Sequence, residues 1–101
     1  MDSIDITLST KQQANKQYMP FVRGGGLFVE TNKRLNHLQR LRLVVAISEL
    51  DQCLETEAQV VWLESSSVTE NMKYGLKFLG ESGRRLNKMI EVYLLGLQGQ
   101  A

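Results

Sequence analysis

Apolar and polar residues alternate in short runs over most of the chain and change to a longer period only near its end. Ile4, Ile6 and Leu8 interleave with Asp5 and Thr7, the period-two pattern of a strand with one buried face. Residues Lys11 to Gln17 are polar and do not alternate, which predicts a connection, at most a helical turn, ending before Pro20. Gly24-Gly25-Gly26 frees the backbone for a sharp turn, and Leu27-Phe28-Val29-Glu30-Thr31 resumes as a second strand. The clearest strand is Arg40 to Ile47, with Leu41, Leu43, Val45 and Ile47 on one face. Glu49 to Gln52 break the pattern; Thr56 to Leu63 restores it, with Ala58, Val60 and Trp62 inward, so the two runs read as a hairpin. Ser65-Ser66-Ser67 and Glu70-Asn71 read as a loop before a fifth strand that faces Tyr74, Leu76 and Phe78 inward.

After Gly80 and Ser82 the period lengthens. Leu86, Met89, Ile90, Tyr93, Leu94 and Leu97 recur at helical spacing, so the chain closes with an amphipathic helix whose stripe needs a surface to cover. Arg84 and Arg85 near its start oppose the helix dipole at a cost of about a few tenths of a kcal/mol each. Five short strands and one terminal helix predict a mainly β fold: a small antiparallel barrel or strongly curled sheet with a helical cover.

With 101 residues the chain forms one domain, 1–101, and neither a repeat nor a linker divides it. Twelve basic and eleven acidic residues leave a formal charge of +1, too small a field for binding nucleic acid by phosphate neutralisation. The acidic start Met1-Asp2-Ser3-Ile4-Asp5 does not resemble an export signal, and the longest apolar run, Leu43 to Ile47, is far below the ~20 residues that span a bilayer. The expected location is the cytoplasm, without direct membrane insertion.

Catalytic sets are missing from the pattern. The single cysteine, Cys53, sits in an expected polar turn, and His37 is the only histidine, so neither a disulfide nor a soft-metal cluster is predicted. The serine run lacks the glycine-flanked elbow of a nucleophile. Gly24-Gly25-Gly26 has neither dinucleotide-loop nor P-loop spacing, and Glu49, Asp51, Glu55 and Glu57 lack the alternation of a calcium loop. No cofactor, no metal and no enzymatic activity are expected.

The segment from Tyr18 through Pro20, Phe21, Arg23, the three glycines and Phe28 to Lys33 resembles the small single-domain branch of the PilZ family that serves type IV pilus biogenesis and twitching motility. The resemblance continues through Gln59-Val60-Val61-Trp62, Tyr74 to Phe78 and Asn87 to Gly96, covering nearly the whole chain in order. It implies a β-barrel of about six or seven strands with a C-terminal helix. Most PilZ domains bind cyclic di-GMP through an Arg-x-x-x-Arg stretch and an Asp/Asn-x-Ser-x-x-Gly turn, where guanidinium forks clamp phosphates and bases. Here Phe21 stands at the acid or amide position and Arg23 at the serine; of the turn, Gly26 alone remains, and only Lys11 and Lys16 lie upstream as cations. Losing two charge-assisted arginine contacts removes about 3–6 kcal/mol, or about two to four decades of affinity.

Apolar residues take the place of that polar turn. Tyr18, Met19, Pro20, Phe21 and Val22, with Phe28 and Trp62, form the expected protein-binding set. By resemblance, the partners are the hexameric pilus-extension ATPase and, in some bacteria, a degenerate GGDEF-EAL protein that itself binds cyclic di-GMP, at the inner-membrane pilus machinery. The competing reading is a cyclic di-GMP receptor using Arg23, Arg40 or Arg42 in an unconventional arrangement.

Overall fold

The computed structural model describes residues 2–65 and 71–98. Strand β1 spans Ser3–Leu8, helix α1 Lys11–Gln17, β2 Gly26–Thr31 and β3 Arg40–Ile47. A 3-10 turn, Ser48–Leu50, leads into β4, Gln52–Ser65, followed by β5, Met72–Leu79, and helix α2, Gly80–Gln98. Most of the serine loop, residues 66–70, and the side chain of Leu97 lie outside the described residues.

The five strands form one sheet in the order β1-β3-β4-β5-β2, curled into a half-barrel. Four of them pair antiparallel as expected, but β1 runs parallel to β3, with Ile4 opposite Leu43 and Leu8 opposite Ile47. A parallel neighbour needs a long crossover, and residues 9–39 supply it. Five strands match the periodicity; the larger barrel implied by resemblance is not reached among the described residues. β4 begins earlier than its alternation suggests. Gln52 to Glu55 pair with Ile47 to Val44, and Asp51, in a left-handed conformation, makes the turn that permits this. Cys53 therefore lies within a strand, exposed opposite Ala46, rather than in a turn.

The concave face carries the core. Leu27, Leu41, Leu43, Val45, Ile47, Ala58, Val60 and Leu76 are completely buried, and Leu86, Ile90, Tyr93 and Leu94 bring α2 down onto β4 and β5. Buried polar groups are paired: the Thr56 hydroxyl lies 2.8 Å from that of Ser82 and donates to the Leu79 carbonyl, joining strand to helix. The Tyr74 hydroxyl accepts from the Leu35 amide and donates to the Lys33 carbonyl, which fixes the loop after β2.

β1 and β2 are the two free edges of the sheet, and α1 bridges them. Thr10 caps the helix by accepting from the Gln13 amide at 3.0 Å, while the Gln13 side chain accepts from Ser9 and donates to the Thr7 carbonyl of β1. One turn on, Gln17 donates to the Phe28 carbonyl of β2 at 3.4 Å. Side-chain amides thus occupy edge carbonyls that would otherwise invite another strand.

Candidate functional site

The chain between α1 and β2 is folded into two successive tight turns. The Val22 amide donates to the Met19 carbonyl and the Gly25 amide to the Val22 carbonyl, so Pro20 and Phe21 sit at a protruding tip. Backbone bonds hold its base: Tyr18 bridges to Leu27, the Met19 amide donates to Gly26, and the Phe78 amide donates to Gly25. Gly25 has φ +82, and a Cβ there would stand 1.9 Å from Asn87 Oδ1, so only glycine closes the turn against α2. At Gly26 a Cβ would lie 2.5 Å from the Leu76 carbonyl oxygen, so this glycine is required by strand packing alone.

Beside the tip, the convex face of the sheet carries two other aromatic rings. Phe28 and Trp62 are both in register with Gly75, and the missing side chain at Gly75 lets the rings meet edge to face at 5.3 Å. Phe21 extends the row, its ring 6.4 Å from Phe28 and three-quarters exposed. Trp62 faces outward because the register between β4 and β5 shifts at Val61; this bulge overturns the inward position that simple alternation predicts for Trp62. Met19 is a second correction. Its side chain is 2% exposed and lies against Gly75, where a Cβ would meet its Cε at 3.0 Å. It underlies the ledge and offers no surface to a partner. Pro20 is exposed, Val22 and Tyr18 half-buried.

Next to Phe28 and Trp62 a groove of about 370 Å³ opens, lined also by Lys16, Gln17, Glu30, Glu64 and Lys73. Glu30, Lys73 and Glu64 form the next cross-strand row. Two lysines face two glutamates, so the groove offers no net positive field to a dinucleotide. Sequence reasoning did not single out these residues or Gly75, although a glycine inside an alternating run signals close approach at that position.

The three arginines of the competing reading are not assembled. Arg40 and Arg42, on β3, form exposed pairs with Glu57 at 3.1 Å and Glu55 at 2.6 Å, each worth about 0–1 kcal/mol. Strands β4 and β5 separate them from β2 and the turn of Arg23. Cys53 and His37 are both exposed, and among the described residues no group of three or more potential ligands could hold a metal. Nor is any described helix long and apolar enough to cross a membrane.

Behind the tip, the Tyr18 hydroxyl donates to Asn87 Oδ1 at 2.6 Å, and Asn87 Nδ2 donates to Glu91 at 2.8 Å. Burial and the nearby Glu91 carboxylate raise the Tyr18 pKa, partly offset by the Asn87 bond. Tyr93, donating to Glu49 under the helix, is pushed up to about 12, chiefly by burial and then by that carboxylate.

Among curated proteins, none matches the chain significantly. The family model of the PilZ domain matches residues 2–95. A curled five-stranded sheet, the glycine turn feeding β2 and a C-terminal helix over the concave face accompany that match over nearly the full length, and the chain belongs to the PilZ domain family.

Proposed function

We propose that this PilZ domain is a non-enzymatic adaptor of type IV pilus biogenesis that binds proteins rather than cyclic di-GMP. The observation that carries the reading is the aromatic ledge: Phe21 meets Phe28 and Phe28 meets Trp62 on the convex face, away from the core. A row with Phe21 and Trp62 exposed and Phe28 half-buried between them, rimmed by charges of both signs, suits a protein surface, where one such anchor is worth about 2 kcal/mol or more. Arg23, in the turn between Phe21 and Phe28, is the charge proposed to orient the encounter, with Lys33, bonded to the Ser3 carbonyl, beyond the end of β2. The partners proposed are the pilus-extension ATPase and a degenerate GGDEF-EAL protein. The second would carry the cyclic di-GMP signal, and the domain would pass it to the motor by contact in the cytoplasm at the inner-membrane machinery.

Two measurements test this. Calorimetric titration of the domain with cyclic di-GMP gives no micromolar binding; such binding would establish the receptor reading instead. In a pull-down with the ATPase, Phe21→Ala, folded as judged by circular dichroism, captures about 30-fold less than the parent. Equal capture places the docking surface elsewhere.

A further inference from the structure

We propose that Asn87, on α2, is the positioning residue of the aromatic ledge, because one side chain holds both ends of the turn that carries Phe21. The functional consequence rests on the docking reading above; the geometry does not. Residues 20–25 project beyond the buried Met19 and return at Gly26; backbone bonds close the two turns on themselves and tie their base to β2 and β5, and the side chain of Asn87 joins them to α2. At the outgoing end, the Tyr18 hydroxyl donates to Asn87 Oδ1 at 2.6 Å. At the returning end, Gly25 packs against the same oxygen, at a distance that excludes even a methyl group. The other half of the amide, Nδ2, donates to Glu91 one helical turn on, at 2.8 Å, and this bond aims Oδ1 at the turn.

The residue at 87 must therefore accept on one side and donate on the other in a half-buried space, which an amide does and a carboxylate or an aliphatic chain does only in part. Phe21 has no comparable fixing of its own. It is 75% exposed, and its ring contact is with Phe28, so its place along the ledge is inherited from the turn. Loss of the Asn87 grip leaves the fold intact and the tip free to tilt away from Phe28.

The test is NMR on the full chain, reading the contact between the Phe21 and Phe28 rings. Asn87→Leu keeps the volume without polar atoms; Asn87→Asp keeps an acceptor for Tyr18; Tyr18→Phe removes the donor alone. The parent shows the ring-to-ring cross-peaks, Asn87→Asp, which keeps the acceptor but loses the bond to Glu91, keeps them in part, Asn87→Leu and Tyr18→Phe lose at least half their intensity, and the Asn87→Leu/Tyr18→Phe double variant loses no more than either single. A residue that only stabilises the helix would lower the melting temperature and leave the cross-peaks unchanged. Parental cross-peaks in folded Asn87→Leu overturn the proposal, and if that variant does not fold, Tyr18→Phe decides by the same criterion. Capture by the ATPase should fall about fivefold with the cross-peaks. Cross-peaks lost with capture unchanged uphold the positioning role and reject the docking reading.

Discussion

Gly75 is the gap over which the ledge is built. It separates Phe28 from Trp62 in register, and a Cβ there would meet Met19 Cε at 3.0 Å and Trp62 Cβ at 3.1 Å. Gly75→Ala should cost about 1–3 kcal/mol in urea unfolding and shift the fluorescence of Trp62, the only tryptophan, as its ring is displaced. An unchanged emission spectrum would show that the rings meet without help from the glycine. The same neighbourhood marks the boundary of what the residue pattern reveals. Alternation places Ala58, Val60, Tyr74, Leu76 and Phe78 inside, because each obeys the pleat. It misplaces Trp62 because the Val61 bulge inserts one residue and reverses every side chain beyond it. Composition around Pro20 marks an apolar cluster but cannot separate Met19, beneath the ledge, from Phe21 on top of it; burial depends on Gly75, more than fifty positions away.

Helix α1 shows what a short element contributes beyond its own stability. Seven residues are too few for an isolated helix, yet Thr10 and Gln13 stand in capping-box spacing, a local signal stronger than the polar composition that suggested no more than a turn. Through Gln13 and Gln17 the helix ties one free edge of the sheet to the other. Gln13→Ala leaves the Thr10 cap in place but removes the side-chain bonds to the Ser9 amide and the Thr7 carbonyl, and should destabilise the domain by about 1–2 kcal/mol in a urea titration, whereas Gln12→Ala, on the exposed side, should stay within about 0.5 kcal/mol. Equal midpoints for the two variants would show that the seam carries no load. β3 and α2 were legible almost to the residue, since an eight-residue alternation and a sustained helical stripe depend on nothing distant. The parallel partner of β1 was not, because no local pattern encodes which strand lies alongside.

At the scale of the whole domain, alkaline pH reads the docking of α2 onto the body. The Tyr93 phenol, buried and bonded to Glu49, has its pKa raised from 10.0 to about 12. A proton held more tightly when folded favours the native state in full below pH 10 and less as pH climbs through about 12. Tyr93→Phe should flatten the fall in stability between pH 10 and 12 measured by denaturant titration; a slope equal to the parent's would remove Tyr93 as its source. The family was readable from the order of segments along the chain, and the match over residues 2–95 agrees with it, but the ledge itself appears only once β2, β4 and β5 are side by side.

The parallel pairing of β1 also dictates an order of events. Among the described residues its one strand partner is β3, whose last residue is Ile47. During synthesis β1 therefore has no strand to dock on until β3 has followed it. β1 is made before its partner and secured late, so a deletion in β1 should burden assembly of the newborn chain more than its position at the rim of the finished sheet would suggest.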